Sequence, residues 1–363
     1  MGSLTDELLS LEEPCEKLKK CGLPVYLYGT GDGADKISAL LERNGVKISG
    51  VFASDGFVRD REYKGFRVRS LAEVEEKEGQ IAAVLCFGLE PDEVHAVRKR
   101  LAKHLFLAPA VPVCGNTLLD RAFFTENGDK AERVMAWLRD ELSKQLYRDV
   151  LCYSVTGDPK YLFLRDEKEA VLPPAGYYGH DGIHADIGAY DGDTANEFLA
   201  FSPDCKKVVA FEPDGANYRK LCAGTAGKRV EPVHAAVGEK EGFAAFDGRK
   251  GRGSRTGDTG EAVALRSLDG YFGFPFIGSA GEDVKSVKID AEGEDANVLF
   301  GGANLITAKT PAVCVSAYHR GEDLVELPLL LKRMDYRYAL YFRKKKCIPA
   351  WDTAFFAILQ RNS

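Results

Sequence analysis

The sequence predicts an α/β protein made of two doubly wound units, each a mostly parallel sheet flanked by helices. Three observations carry that prediction. Short apolar runs alternate with helical stretches in both halves of the 363-residue chain. The first apolar run of each half ends in a glycine turn, Gly29-Thr-Gly-Asp-Gly33 and Gly188-Ala-Tyr-Asp-Gly192. Two closely spaced apolar runs end the chain, as an antiparallel hairpin would.

In the first half, residues 4–20 read as one amphipathic helix and Val25–Tyr28 as a buried strand. A helix follows the glycine turn. Residues 46–53 and 81–87 read as strands, with a helix at 91–103. Residues 120–153 carry apolar side chains at helical spacing (Val134, Trp137, Leu138, Leu142, Leu146) among many charges. They read as a helical connection. Pro173, Pro174 and the glycines that follow punctuate the chain before the second unit. The expected division is 1–119 for the first unit, 120–180 for the connection and 181–363 for the second.

The second unit alternates again: strand 183–188, helix from Thr194, strand 208–211, helix 215–222 and strand 230–236. A Gly/Arg-rich stretch, 248–257, has no apolar period and reads as a loop, with Arg249, Lys250, Arg252 and Arg255 as cations for an anionic acceptor. Strand 284–290, helix Asp295–Gly301, strand 312–317 and the final hairpin complete the order. Residues 343–346, Arg-Lys-Lys-Lys, read as the solvated tip of that hairpin.

Composition limits the function. The chain is 45% apolar and 29% charged, with a net charge of −6. It lacks a global basic field, so nucleic acid is not expected as a partner. No apolar run approaches the ~20 residues that span a bilayer, and the N-terminus has no signal-peptide core. The nine cysteines are scattered, odd in number and without a C-x-x-C pair. They read as free thiols in a cytoplasmic protein.

The second glycine turn is the first candidate site. Asp186 ends the first strand of its unit, and Gly188 and Gly192 permit a tight turn and close backbone approach to a ligand. Glu212 ends the next strand, where an acid can accept from ribose hydroxyls. Tyr190 stands where a dinucleotide fingerprint has its middle glycine, and its bulk suits a pyrophosphate poorly. Asp186 can accept from an ammonium group and would repel phosphates. Together these favour S-adenosylmethionine (SAM) over a dinucleotide.

Two further segments end later strands. In Val287-Lys-Ile-Asp-Ala-Glu-Gly293, strand alternation puts Lys288, Asp290 and Glu292 on one face. Charges on a buried strand are costly unless paired or functional. Ser316-Ala-Tyr-His319 offers a histidine able to act as a general base. His180, His184 and His234 have no such context and read as structural.

The runs DIGAYDGDT, FEPD, KIDAEGED and VSAYHRGEDLVELPLLL, in that order, resemble the FkbM-type SAM-dependent methyltransferases over about half of the chain. The resemblance implies two Rossmann-like domains, the C-terminal one a class I methyltransferase fold with a seven-stranded mixed sheet. It implies O-methylation of a hydroxyl on a sugar, glycan or related natural product. Carried over by position, Asp186, Gly188, Ala189, Tyr190, Gly192, Thr194, Glu212 and Pro213 would hold SAM, with Ala235 and Ala236 beside the adenine. Lys288, Glu292 and Tyr318 would face the acceptor. His319 is expected as base, with Asp290 orienting the acceptor. No full ligand set for a metal is legible, so a divalent cation stays open and none is assigned. A small-molecule or glycan acceptor is the expected partner, and a homodimer is compatible with the pattern.

The first glycine turn leaves alternatives. It is spaced G-x-G-x-G, with Asp55 at the position of a ribose acid. An NAD(P)- or nucleotide-sugar-binding enzyme is one rival, although no convincing Tyr-x-x-x-Lys follows. A catalytically silent ligand-binding protein on the same fold is the other.

Overall fold

The structure is a computed structural model that describes residues 2–58, 61–163, 170–246, 256–257 and 261–359. The expected Gly/Arg-rich loop with Arg249, Lys250, Arg252 and Arg255 lies outside the described residues, apart from Thr256 and Gly257.

The first sheet has six strands: β1 (Val25–Tyr28), β2 (Ile48–Ala53), β3 (Glu62–Tyr63), β4 (Phe66–Ser70), β5 (Ala82–Leu85) and β6 (Leu105–Leu107). Their order is β3-β4-β2-β1-β5-β6, parallel except for the β3–β4 hairpin. All of β1 and β5 is buried, as strands covered by helices on both faces must be. The sequence shows β1, β2 and β5 as apolar runs. It hides β3, β4 and β6, which are short or carry charges. The expected helix 4–20 is two helices, Leu4–Ser10 and Pro14–Lys20. Glu13 caps the second and Pro14 occupies its first turn, where a missing N–H costs nothing.

The second sheet has seven strands: β7 (Ile183–Ile187), β8 (Lys207–Phe211), β9 (Val230–Val233), β14 (Val284–Ile289), β15 (Ala312–Ser316), β16 (Tyr338–Lys344) and β17 (Thr353–Leu359). Their order is β16-β17-β15-β14-β7-β8-β9. Only the pairings of β17 with β15 and β16 are antiparallel. Between β9 and β14, strands β10 (Ala236–Val237), β11 (Gly242–Phe246), β12 (Thr256–Gly257) and β13 (Glu261–Arg266) form a separate four-stranded sheet. No sequence pattern announced it.

The expected connection is part of the core. Helices Arg121–Trp137 and Glu141–Thr156 contribute Phe124, Val134, Leu146, Val150 and Leu151 to one apolar cluster that also contains Tyr26 and Leu85 of the first sheet and Ile187 and Phe355 of the second. Gly128 lets the N-terminal helix approach closely, because a Cβ there would stand 2.4 Å from the Thr5 methyl. The Tyr147 ring lies 5.6 Å from Phe342 and 5.9 Å from Phe355, edge-on to both.

The final hairpin differs from the expected solvated tip. Arg343 and Lys344 belong to β16 and are buried. Arg343 pairs with Asp140 at 2.8 Å and donates to Ser143 Oγ at 2.8 Å and to the Leu172 carbonyl at 3.0 Å. The connection after it reaches the first unit. Ile348 and Leu89 exchange backbone hydrogen bonds of 2.7 and 3.2 Å. Gly88 makes room for Trp351, whose ring would stand 2.3 Å from a Cβ at that position. The two sheets are therefore joined by shared core and by this strap.

Candidate active site

The carboxyl ends of both parallel sheets open onto one cleft of about 1390 Å³, the position expected for ligands in such sheets. One wall comes from the second unit: Gly188, Tyr190, Thr194, Glu212, Pro213, Ala235, Ala236, Lys288, Asp290, Glu292 and Tyr318. The facing wall comes from the first unit and includes Gly31, Lys36, Cys86, Gly88 and Cys114, with Lys345 and Trp351 of the strap. The sequence reading missed this second wall, because nothing local to those residues announces a partner so far along the chain.

The turn after β7 is shaped by backbone contacts. Gly188 and Ala189 both donate to the Phe211 carbonyl at 3.0 Å. Gly188 has φ +75°, and a Cβ there would lie 2.0 Å from the Asp290 carbonyl oxygen. The residue is glycine because the chain leaving β14 passes so close. Tyr190 also sits in the left-handed region, at φ +50°. Its side chain is half exposed, with the Lys220 ammonium 5.3 Å from the ring centroid. Gly192 precedes helix Asp193–Phe201, and a Cβ there would meet Thr225 at 2.7 Å.

Several expected cofactor contacts lie behind the wall. Asp186 is fully buried, its Oδ2 accepting from the Thr194 hydroxyl at 2.6 Å and its Oδ1 standing 3.3 Å from Lys288 Nζ. Ala189 is also fully buried, in an apolar cluster with Phe198 and Leu221. Gly192 serves the turn and is not part of the cleft lining. Glu212, in contrast, lines the cleft. It accepts from the amides of Tyr190 at 2.9 Å and Asp214 at 2.8 Å, and burial pushes its pKa up to about 7 in spite of them.

Lys288 is expected to face the acceptor, but its ammonium is already engaged. It donates to the Gly188 carbonyl at 3.0 Å and lies 3.3 Å from Asp186 and 3.8 Å from Asp290. Burial works against its charge, yet the two carboxylates raise its pKa above the lysine range. Lys288 therefore neutralises buried acids and fixes the Gly188 turn.

Asp290 and Glu292 do not continue the β14 alternation. The strand ends at Ile289, and Glu292 at φ +50° and Gly293 at φ +92° turn the chain into helix Asp295–Gly301. Asp295 drives this turn, accepting from the amides of Ala291 at 2.9 Å and Gly293 at 3.1 Å. Glu292 still arrives beside Asp290, by the turn and not by the pleat.

His319 is completely buried behind these acids. Its Nδ1 donates to Asp295 Oδ2 at 2.8 Å, and its Nε2 lies 3.3 Å from Asp290 Oδ1 and 3.7 Å from Glu292 Oε2. Burial by itself lowers an imidazole pKa; Asp295, followed by Asp290 and Glu292, overrides it and raises the value to about 10. This differs from the expected general base, which must be neutral and must touch the acceptor. Asp290 is the group that reaches the cleft, with its side chain 28% exposed. Burial again opposes its charge, but Lys288 and His319 keep it below the usual carboxylate range, and the Tyr318 hydroxyl donates to its Oδ1 at 3.1 Å. Nothing in the sequence singles out Asp295, although it stands within KIDAEGED. As a helix-start acid it reads as an ordinary cap.

His184 stacks on Phe198 with ring centroids 3.7 Å apart, bonds Ser286 Oγ at 2.8 Å, and is driven by burial to a pKa of about 3. In the first unit, Gly29 and Gly33 are packing glycines. A Cβ would lie 2.7 Å from the Phe87 ring at Gly29 and 2.2 Å from the Cys86 carbonyl at Gly33. Asp55 is exposed and does not line the cleft.

A parallel sheet in this strand order, closed by an antiparallel hairpin and bearing a glycine turn and an acid after its first two strands, is the class I methyltransferase fold. Residues 186–338 match the model of the Methyltransferase FkbM domain. A solved methyltransferase FkbM from Methylobacillus flagellatus KT superposes with a TM-score of 0.67 at 16% identity, covering 98% of this chain and 94% of the other. The shared fold thus extends over both units. Two weaker likenesses are a Methanococcus jannaschii fibrillarin pre-rRNA processing protein (TM-score 0.34, 13% identity, 54% and 74% covered) and an Aeropyrum pernix fibrillarin with natively bound SAM (TM-score 0.33, 9% identity, 53% and 72% covered). No curated protein matches the chain.

Proposed function

We propose that this methyltransferase uses SAM to methylate a hydroxyl of a sugar, glycan or related natural product. The carrying observation is the cleft itself. Its lining brings Gly188, Glu212, Ala235 and Ala236 together with Asp290, Glu292 and Tyr318.

The SAM end fits a nucleoside without phosphates. Glu212 offers carboxylate oxygens beside the small residues Ala235 and Ala236. Asp191 and Asp193 flank the glycine turn and disfavour a pyrophosphate. Bound SAM would supply an electrophilic methyl group. Asp290 would orient the acceptor hydroxyl and take its proton, because it reaches the cleft and His319 does not. Tyr318 and His319 would position that carboxylate. Alignment of the two reactants supplies much of the acceleration in such transfers. The facing wall, from Gly31 to Cys114, would bound the acceptor and exclude water.

We also place the protein in the cytoplasm. All nine cysteines are free thiols, and no helix among the described residues is long and apolar enough to cross a membrane.

Calorimetry with SAM and with NAD, followed by transfer of labelled methyl to a panel of sugars and glycans, tests this reading. SAM binding with transfer to a hydroxyl is expected, and transfer should fall at least about 100-fold in Asp290→Asn. NAD binding without SAM binding would overturn it.

A further inference from the structure

We propose that Asp290, Glu292 and His319 form a site for one divalent first-row transition ion at the acceptor end of the cleft. The inference starts from an orphaned atom. His319 Nε2 is buried and makes no hydrogen bond, although its ring is otherwise tightly held. Two carboxylate oxygens stand across from it, Asp290 Oδ1 at 3.3 Å and Glu292 Oε2 at 3.7 Å.

Those separations suit shared ligation. Two metal–ligand bonds of about 2.1–2.2 Å place their donor atoms about 3.0 Å apart at a right angle and about 3.5 Å apart at a tetrahedral angle. Both carboxylate oxygens stand near this spacing from His319 Nε2 before any ion binds. Asp290 contributes with its other oxygen turned to Lys288 at 3.8 Å, while Tyr318 already donates to Oδ1 at 3.1 Å.

Asp295 is a neighbour of the site but not a fourth ligand. Both its oxygens are committed, Oδ1 to the Ala291 amide and Oδ2 to the Gly293 amide and His319 Nδ1. Its bond to Nδ1 turns Nε2 toward the acids, where an ion would take the place of the Nε2 proton. This is the carboxylate–histidine–metal arrangement that orients ligating imidazoles. One imidazole and two carboxylates select manganese, iron or zinc over magnesium and calcium, which prefer oxygen ligands throughout. Three protein ligands leave positions open toward the cleft, where an acceptor hydroxyl could bind the ion and lose its proton more readily. That last role rests on the methyltransferase reading; ion binding does not.

The test is a titration of Mn²⁺ into the full-length, chelator-stripped protein without SAM, with free Mn²⁺ followed by electron paramagnetic resonance. One Mn²⁺ per chain is expected, undisturbed by equimolar Mg²⁺. Glu292→Gln and His319→Asn should each weaken binding at least about tenfold, and Asp295→Asn about tenfold or more through loss of ligand orientation. His95→Ala, an exposed histidine elsewhere, should bind as the parent does. Circular dichroism of each variant checks folding, and Glu292→Gln, a change at an accessible position, decides the matter if His319→Asn misfolds. No binding up to about 1 mM Mn²⁺, binding undiminished in Glu292→Gln, or displacement by equimolar Mg²⁺ would each overturn the proposal. Because SAM binding is measured separately, failure here leaves the methyltransferase reading standing or falling on its own test.

Discussion

The amide of Cys114 donates to the carbonyl of His319 at 2.7 Å, so a residue of the first unit holds the loop that carries the buried histidine of the second. The contact is reinforced nearby. Cys114 Sγ lies 3.2 Å from the Glu292 carbonyl, and Arg320 Nε donates to the Gly293 carbonyl at 2.7 Å. The first unit is thus a structural part of the site, beyond being a wall of the cleft.

That contact predicts the effect of Gly321→Ala. A Cβ at Gly321 would stand 2.2 Å from the Thr117 carbonyl oxygen, so the His319 loop and the 113–117 segment must separate. The variant should lose about 1–3 kcal/mol of stability. Its SAM affinity should stay near that of the parent, while methyl transfer drops. Thermal unfolding and calorimetry separate the two; an unchanged melting temperature would count against the contact.

Gly188→Ala should be more severe, because the residue has φ +75° and meets the Asp290 carbonyl at 2.0 Å. Strain and overpacking together should cost more than about 3 kcal/mol. SAM binding should be lost even where the protein stays folded. A crystal structure or calorimetric titration showing normal SAM binding in this variant would refute the close approach.

Asp186 and Lys288 should be strongly coupled. Removing one partner of a buried pair leaves a charge without compensation and costs about 3–5 kcal/mol. Asp186→Ala and Lys288→Met should each destabilise by that order, and the double variant by less than their sum. Urea denaturation of all three provides the cycle. Strict additivity would mean that the 3.3 Å approach is not an energetic contact.

Glu212 predicts a pH dependence of SAM binding. Its pKa in the folded protein is about 7, raised by burial; the neighbouring Asp214 adds to the shift and Lys288 opposes it. Below about 7 the folded protein therefore carries the protonated acid, while the unfolded chain would still ionise it down to ordinary carboxylate pH. The neutral form favours the fold, and this contribution is lost as pH rises through about 7. A ribose hydroxyl is held best by the ionised form, so SAM affinity should rise with pH up to about 7 by as much as about tenfold per unit, then level off. Glu212→Gln should flatten the profile. A pH-independent affinity in the parent would remove Glu212 from the ribose contact.

The order of strands in the second unit was legible because each apolar run is bounded by turn residues, and the parallel arrangement leaves little freedom in connecting them. Asp186, Glu212, Asp290 and His319 were legible as candidates because a charged group at a strand end is unusual. Their division of labour was not. Whether Asp186 meets a ligand or Lys288 depends on which side of the turn faces solvent. Whether His319 is a base or a buried anchor depends on Asp295, which looks like a helix cap in one dimension.

The alternation of apolar runs, the two glycine turns and the closing hairpin sufficed to define a doubly wound α/β chain with its leading candidate site in the second half, since local periodicity and backbone sterics act over a few residues. Tertiary structure alone decided that both sheets open onto one cleft, that helices 121–137 and 141–156 are core, and that Cys114 grips the His319 loop. Those features pair residues roughly 200 positions apart, and their physical cause is burial: the charges of Lys288, Asp290 and His319 leave water only where the fold brings opposite charges to meet them.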